Sequence, residues 1–349
     1  MKMHALLLLS TLGLAHAQES IPGVETTYRD VKVSDGATLT AMIARPEGVS
    51  RPLHPILFAQ WVSCGSLEYR KGSNAREVLA ALARESGHAL LRVERSARSN
   101  GPDCESLDFD TELAHYIDAY LELLDAPEID AGKVFVYGSS LGSNTAPLLA
   151  LALQEQGFNI AGLMVQGGGG VSYLERMLAF EQHYLDRRPD AVGPADRQKE
   201  YIDRVRFYVE YFNKGRLPDA IAEDDADMAR VRNDILGMGA DQHYGRPFAW
   251  HQQLARKNFL HAWSALRSPV LVIFNEYDQF ESRYGHERIV DTVNRLRPGS
   301  ATLVRRPGVG HSDNRYGSIE AAYAFDGGVP AWREAAGIML DWLNQQTIH

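Results

Sequence analysis

The sequence Val134-Phe-Val-Tyr-Gly-Ser-Ser-Leu-Gly142 decides the fold. Its apolar first half predicts a short strand, and the residues after it predict a helix over Thr145–Leu153. The segment between them matches G-x-S-x-G, in which a serine lies on a sharp strand-to-helix turn and small flanking residues let the backbones approach. The helix N-terminus then points toward a developing negative charge. The stretch therefore predicts a nucleophilic Ser140; the alternative is a glycine-rich turn with an idle serine.

Strands and helices alternate on both sides of this turn. Short apolar runs predict strands at Pro55–Gln60, Ala89–Val93, Val134–Tyr137, Ile160–Val165, Val270–Phe274 and Ala301–Arg305. Amphipathic periodicity predicts helices at Asn74–Glu85, Phe109–Leu124, Thr145–Leu153, Arg288–Arg295 and Trp332–Gln345. Two alternating runs around Asp35-Gly36 predict an antiparallel hairpin before them. The pattern predicts an α/β fold with a mostly parallel sheet of eight strands and helices on both faces.

The alternation stops in the second half of the chain, which predicts an insertion. Residues 172–265 are polar and helical in pattern, with no convincing strand. We therefore predict a core formed by residues 18–171 and 266–349 and a helical cap formed by residues 172–265. The tetraglycine segment 167–170 is interpreted as a hinge-like loop where the cap begins; it lacks the Gly-Lys-Ser/Thr ending of a phosphate-binding loop. The acidic run 223–227 and the acidic residues Glu175 and Glu181 are interpreted as a solvated face rather than an amine-binding site.

Composition and the N-terminal segment predict an exported globular protein. Of the 349 residues, 45% are hydrophobic and 23% charged, which is ordinary for such a protein, and a formal charge of -9 argues against nucleic acid as a partner. Lys2, a leucine-rich run and Ala15-His16-Ala17 are typical of a signal peptide over residues 1–17, the alternative being a buried N-terminal helix. The chain is then periplasmic or secreted after cleavage following Ala17. We expect no membrane anchor, because no later run is long and apolar enough to span a bilayer.

A nucleophilic serine needs a base, and the base needs an acid that orients it. His311 follows a glycine in a loop just after the last predicted strand, which leaves it free to reach an active site. Asp278 and Glu276 both follow the strand Val270–Phe274, at the sheet edge where ligand sites form. We favour Asp278 because it lies farther along the turn. The predicted catalytic residues are Ser140, Asp278 and His311.

Taken together, these features resemble the α/β-hydrolase superfamily, in particular its serine esterases and prolyl-peptidase-like members. The resemblance rests on the leading hairpin, the Pro-Ile-Leu-Phe strand, the Gly-Ser-Ser-Leu-Gly turn, the cap, the Asp278 turn and the Gly-His311 loop. It implies that the base withdraws the serine proton, and that an acyl-enzyme forms and is then hydrolysed. It also implies two oxyanion donors: the backbone N–H of Leu141 and one from the loop after the third strand. That loop has Gln60-Trp61-Val62 where many members have His-Gly, so the second donor stays open between Trp61 and Val62.

The resemblance also places the two cysteines in neighbouring loops. Cys64 follows the strand Pro55–Gln60 and Cys104 follows the strand Ala89–Val93; in this family those strands lie near each other. An exported chain with two cysteines permits one disulfide. We therefore expect a Cys64–Cys104 bridge that braces the loop carrying Trp61 and Val62, the alternative being two free buried thiols.

These expectations define the activity. We expect hydrolysis of a carboxylic ester, thioester or lactone, with a small-molecule ester or short peptide as the bound partner. One alternative is a serine peptidase or amidase that acts on short peptides. Another is a catalytically inactive hydrolase fold that binds a ligand. No cofactor and no metal are expected, because serine hydrolysis needs none and the sequence has no Cys/His cluster with ligand spacing.

Overall fold

A computed structural model describes residues 20–68, 72–99, 101, 103–187 and 193–347. The predicted signal peptide, residues 1–17, lies outside this part of the chain. No helix in the described ranges is both long enough and apolar enough to cross a membrane.

Eight strands form one sheet, and its architecture confirms the predicted fold class. The strands of the chain are β1 Val24–Lys32, β2 Thr38–Pro46, β3 Pro55–Ala59, β4 Ala89–Ser99, β5 Val134–Ser139, β6 Ile160–Gln166, β7 Gln242–His243, β8 Arg246–Pro247, β9 Val270–Asn275, β10 Ala301–Arg306, β11 Asn314–Arg315 and β12 Val329–Pro330. The sheet has the order β1-β2-β4-β3-β5-β6-β9-β10. β2 pairs antiparallel with β1 and β4, and every other pair is parallel.

Helices cover both faces of this sheet. The α-helices of the described residues are α1 Asn74–Glu85, α2 Phe109–Leu124, α3 Gly142–Glu155, α4 Tyr173–Arg187, α5 Pro194–Tyr208, α6 Pro218–Ala222, α7 Ala226–Arg230, α8 Phe248–Ala255, α9 Phe259–Ala265, α10 Arg283–Leu296, α11 Ile319–Ala324 and α12 Trp332–Thr347. Side chains alternate along a strand. In β3, Ile56 and Phe58 therefore join the apolar cluster under α1 and α12, while Leu57 and Ala59 join the cluster under α2 and α3. The strand is buried on both faces, as expected for the centre of a parallel sheet.

The insertion, residues 172–265, leaves the sheet after β6 and returns to it at β9. Its described elements are α4 to α9, two π-helical turns at Val209–Asn213 and Val231–Ile235, and the hairpin β7–β8. The hairpin was not predicted, because two-residue strands are too short to show an alternating pattern. Aromatic side chains of the insertion such as Tyr211 and Trp250 belong to the same apolar cluster as sheet residues such as Leu57. The insertion and the sheet therefore share one continuous core.

Two helices, α3 and α10, begin earlier than predicted, and the earlier start of α10 matters for the site. The helix predicted to begin at Arg288 begins at Arg283, because Ser282 caps it by accepting a hydrogen bond from the Gly285 N–H. The earlier start places His286 on α10. There its side chain is fully buried, and its ring packs against Phe274 of β9 with centroids 4.9 Å apart.

Candidate active site

Ser140 lies on a tight turn between β5 and α3. Its φ is +53°, in the left-handed region that non-glycine residues adopt only where the surrounding structure holds them there. A Cβ added to Gly142 would lie 1.9 Å from the Ala59 carbonyl oxygen, and one added to Gly138 would lie 2.5 Å from the Gly142 oxygen. Both positions therefore require glycine, which is the physical basis of the motif. The Ser140 N–H donates to the Gln166 carbonyl at 2.7 Å and ties the turn to the end of β6.

The structure brings Ser140, His311 and Asp278 together. His311 Nε2 lies 2.9 Å from Ser140 Oγ. His311 Nδ1 lies 2.9 Å from each Asp278 carboxylate oxygen. Glu276 does not take part, because its carboxylate pairs with Arg305 on β10. The arrangement can pass a proton from the hydroxyl to an imidazole whose other nitrogen is held by a carboxylate.

Backbone amides orient Asp278. Its Oδ1 accepts hydrogen bonds from the N–H groups of Phe280 at 2.8 Å and Glu281 at 2.9 Å. Burial raises the pKa of this carboxyl, but the neighbouring His311 and these hydrogen bonds outweigh burial and lower it. Asp278 is therefore a carboxylate at neutral pH. It lies ready to stabilise a positive charge on the imidazole.

His311 is held from several sides. Its backbone N–H donates to Gln279 Oε1 at 3.0 Å, and the Phe280 ring packs against the imidazole with centroids 4.7 Å apart. The preceding Gly310 carbonyl accepts from Asn275 Nδ2 at 3.0 Å. Burial lowers the pKa of His311, but Asp278 raises it more strongly, so the pKa lies above its ordinary value. The ring is thus a stronger base than a free histidine.

The tetraglycine segment has a different role from the hinge that we predicted. All four residues are buried, and each approaches a neighbour too closely for a side chain. A Cβ on Gly167 would lie 2.6 Å from Ser140 Cα, and one on Gly170 would lie 2.0 Å from the Gly285 oxygen. The Gly168 N–H donates to His286 Nε2 at 3.0 Å, while the other ring nitrogen of His286 bonds the Ser282 carbonyl. The segment is clamped between the Ser140 turn and α10, a packing that periodicity could not reveal.

The predicted oxyanion donors border the same site. Leu141 is the residue that precedes α3, so its N–H lies at the N-terminal end of that helix. Trp61 and Val62 line the cavity beside Ser140. Arg95 Nη1 holds their loop by donating to the Val62 and Ser63 carbonyls, both at 3.0 Å. The choice between Trp61 and Val62 as second donor stays a prediction.

The predicted Cys64–Cys104 disulfide is present and confirms that expectation. It joins residues 40 positions apart, with the two Cα atoms 5.6 Å from each other. Arg246 of the hairpin β7–β8 donates to Cys64 Sγ at 2.9 Å and also contacts Cys104 Sγ. The same guanidinium forms a buried ion pair with Glu112 on α2. The bridge therefore connects the loop of Trp61 and Val62 to both the core and the insertion.

A cavity of about 460 Å³ opens onto Ser140 and His311. The described residues that line it are Phe58, Trp61, Val62, Ser73, Asn74, Ala75, Val78, Leu79, Tyr137, Ser139, Ser140, Arg176, Phe280, His311, Ser312 and Asp313. Eight of these sixteen residues are aliphatic or are Phe, Tyr or Trp, and they offer an apolar surface to a small organic acyl group. Within the described ranges, no group of three or more His, Cys, Asp or Glu side chains could hold a metal ion.

Sequence reasoning missed Arg176 and singled out other charges in the insertion instead. Glu175 accepts from the Ser172 N–H and hydroxyl, and Glu181 pairs with Arg204. Neither glutamate lines the cavity, whereas Arg176 does. No pattern in the sequence distinguishes Arg176 from the other arginines of the insertion. Its position became evident only from the packing of α4.

Comparisons with known proteins relate this chain to one family and to several solved structures. The model of the "Alpha/beta hydrolase family" matches residues 61–318. Among solved structures, one of two fungal esterases from Rhizomucor miehei is 18% identical, with 94% of this chain and 84% of that chain covered and a TM-score of 0.54. Carboxyl esterase 2 from the mycorrhizal fungus Tuber melanosporum is 14% identical, with 95% and 89% covered and a TM-score of 0.55.

An acylaminoacyl peptidase from Pyrococcus horikoshii is 12% identical, with a TM-score of 0.56; 93% of this chain and 42% of that chain are covered. A search among curated proteins finds no match. At these identities the likeness to solved structures shows the fold alone.

Proposed function

Because the chain belongs to the alpha/beta hydrolase family, we propose that it is a serine hydrolase that cleaves a carboxylic ester, thioester or lactone through an acyl-enzyme on Ser140. One observation carries the proposal. Ser140 Oγ lies 2.9 Å from His311 Nε2, and His311 Nδ1 lies 2.9 Å from Asp278; Ser140 and His311 line a cavity whose other residues are in large part apolar. A nucleophile, a base within hydrogen-bond reach and an orienting acid are the three parts that acyl transfer needs.

The proposed reaction has two halves. His311 Nε2 takes the Ser140 proton as Oγ attacks the carbonyl carbon, and the electron pair of the C=O bond moves onto oxygen. When the tetrahedral intermediate collapses, the alcohol or thiol leaves and takes the proton from His311. Water then attacks the acyl-enzyme in the same way, and Ser140 recovers its proton. Asp278 stays ionised and stabilises the imidazolium in both halves.

Backbone N–H groups complete the proposed site by binding the oxyanion. We assign one donor to Leu141, where the N-terminus of α3 adds its positive dipole end. The second donor is Trp61 or Val62 in the disulfide-braced loop. Preorganised donors of this kind contribute about 3–4 kcal/mol of transition-state stabilisation each.

We propose two structural units, a hydrolase core and a cap inserted into it. Residues 18–171 and 266–349 form the hydrolase core, and residues 172–265 form a helical cap over the active site. Arg176 on α4 lines the cavity, which supports a role of the insertion in substrate binding. The cavity volume of about 460 Å³ suits a small ester rather than a folded protein.

We also propose that the chain is exported and that its leader is removed after Ala17. The charged and leucine-rich start of the sequence supports this. The Cys64–Cys104 disulfide supports it as well, because such bridges persist in oxidising compartments. Mass analysis of protein recovered from the periplasm or medium, expected to begin at Gln18, tests this point.

The activity is tested with the purified mature protein on short-chain esters and on aminoacyl nitroanilides. Ser140→Ala should lower kcat by several orders of magnitude, because the nucleophile and base act as a unit. Esters turned over faster than nitroanilides would support the proposal. Nitroanilides turned over faster would assign the site to a peptidase or amidase. No turnover of either class by the folded protein would assign the fold to ligand binding.

A further inference from the structure

Arg176 lies in the first turn of α4, a helix that begins three residues after the clamped tetraglycine segment. That segment packs on the nucleophile turn, since a Cβ on Gly167 would lie 2.6 Å from Ser140 Cα. The first turn of α4 is thereby fixed next to the catalytic groups. Arg176 and Ser140 line the same cavity, and the Arg176 side chain is only 12% exposed. Ordering a long, flexible arginine side chain costs conformational entropy, and Arg176 is ordered at the place where the acyl group or leaving group must bind.

Glu281 occupies one edge of the Arg176 guanidinium. Nε lies 2.6 Å and Nη2 lies 2.5 Å from the same carboxylate oxygen, Oε1. Nη1 meets Met177 Sδ at 3.8 Å, and thioether sulfur is a weak acceptor. Among the described residues, Nη1 has no oxygen partner. The Nη1/Nη2 edge therefore keeps the donor geometry that receives a carboxylate with two parallel hydrogen bonds.

The charge of Arg176 persists despite its burial. Burial lowers the pKa of the guanidinium, but Glu281 raises it more strongly, so the side chain stays cationic. Among the described residues that line the cavity, Asp313 is the one carboxylate; it pairs with the buried Arg306 and accepts a hydrogen bond from Gln166. The rest of the lining is mostly apolar. An anionic substrate group loses its hydrating water when it enters such a cavity. It therefore binds only where a cation with unused hydrogen-bond donors compensates for that loss.

We propose that Arg176 is a specificity-determining residue that selects substrates with a carboxylate group close to the scissile carbonyl. This inference rests on the proposed function and narrows its substrate class to half-esters of dicarboxylic acids or esters of hydroxy acids. Glu281 then serves as the positioning residue that fixes the guanidinium plane before the substrate arrives.

A purely structural role for the pair predicts a different behaviour. The Glu281 N–H donates to Asp278, so the ion pair also supports the turn that carries the catalytic acid. If that were its only role, removing the pair would slow charged and neutral esters by the same factor. A specificity role changes the ratio between them. The ratio of kcat/KM values within a matched pair of substrates is therefore the quantity to measure.

Two matched pairs cover both sides of the scissile bond. Ethyl hydrogen glutarate against ethyl valerate tests the acyl side, and butyryloxyacetate against ethyl butyrate tests the leaving-group side. Each rate is divided by the alkaline hydrolysis rate of that ester, which removes intrinsic reactivity. For the wild-type protein we expect the carboxylate member of one pair to be preferred by about tenfold to a hundredfold, as for a charge-assisted hydrogen bond.

Variants then assign the preference to Arg176. A single Arg176→Met change leaves Glu281 buried and unpaired and can unfold the protein. The informative variant is therefore the double change Arg176→Gln with Glu281→Gln, which keeps size and hydrogen bonding. It should bring the ratio close to one. Glu281→Gln alone should raise the ratio, because glutamine keeps an acceptor oxygen that positions the guanidinium but removes the negative charge that repels a substrate carboxylate. Arg176→Lys should keep only part of the preference.

Labelling of Ser140 by a fluorophosphonate separates the two levels of the proposal. A wild-type protein that is labelled and active, but prefers the carboxylate member of neither pair, overturns the role of Arg176 and leaves the serine hydrolase intact. A double variant that keeps the wild-type preference overturns it as well. A folded wild-type protein that takes no label and cleaves no ester overturns the proposed function itself.

Discussion

The two sides of Ser140 are built in different ways. On the base side, Asp278 and His311 are 33 positions apart and follow the adjacent parallel strands β9 and β10. They are held by hydrogen bonds between the two neighbouring turns and by the Phe280 ring that packs against His311. On the opposite side, where we propose that the oxyanion binds, the Trp61–Val62 loop is held by a bridge from Cys64 to a residue 40 positions away and by Arg246, which lies 182 positions from Cys64. The base side follows from sheet topology, whereas the oxyanion side depends on long-range ties.

The largest expected effect lies on the base side. Asp278→Asn should lower kcat by about 10⁴-fold, because the amide favours the wrong imidazole tautomer and cannot stabilise the imidazolium. Glu276→Gln is the matched control, since Glu276 pairs with Arg305 rather than His311. Steady-state kinetics of both variants on one ester decide the assignment. A larger loss in Glu276→Gln would make Asp278 the wrong acid.

The second effect tests the oxyanion side through the disulfide. Reduction opens a loop of 40 positions and should lower the free energy of unfolding by about 3–4 kcal/mol on the chain-entropy model. Turnover should fall too, because the loop of Trp61 and Val62 loses its brace. Denaturant unfolding and ester kinetics with and without a phosphine reductant measure both. Unchanged turnover after verified reduction would show that the loop is held without the bridge.

A third prediction concerns the clamp between the two sides. Gly167→Ala should lower both stability and kcat, since the new Cβ would lie 2.6 Å from Ser140 Cα. The clashing atoms are backbone atoms, so relieving the clash would displace the Ser140 turn. Gly157→Ala is the control: its φ of +93° is similarly strained, but nothing lies within 4 Å of its Cβ. The control should lose about 1 kcal/mol of stability and keep its kcat. Equal kcat in the two variants would contradict the clamp.

The smallest effect is a shift in pH dependence. The base must be neutral to accept the Ser140 proton, so activity falls as pH decreases through the pKa of His311. Asp278 raises that pKa, which places the acid limb of kcat/KM above pH 6.5, the ordinary histidine value. In Asp278→Asn the limb should move to lower pH, on top of the lower rate. If the acid limb of kcat/KM has the same midpoint in Asp278→Asn as in the wild-type protein, a group other than His311 controls the pH dependence.

The comparison also explains what the sequence could predict. Ser140 is set by glycines whose spacing is a local steric requirement, and Asp278 and His311 follow strands with clear apolar signals. The sheet was predicted from the same apolar signals, whereas the disulfide was predicted from the family resemblance, which places the two cysteine loops side by side. Arg176 and the tetraglycine clamp were missed, because their roles arise from how α4 and α10 pack against the nucleophile turn. Such packing leaves no periodic pattern in the sequence. A run of glycines has the same sequence whether the segment is a flexible hinge or is clamped by its neighbours.

Covalent labelling of Ser140 tests the central claim most directly. The mature protein is treated with a fluorophosphonate, digested, and the peptide that carries residues 138–142 is analysed by mass spectrometry, with heat-unfolded protein as the control. We predict stoichiometric modification at Ser140 in the folded protein, loss of esterase activity in proportion to labelling, and none in the unfolded control. A folded protein that hydrolyses esters without modification of Ser140, or with the label on another serine, would contradict the account.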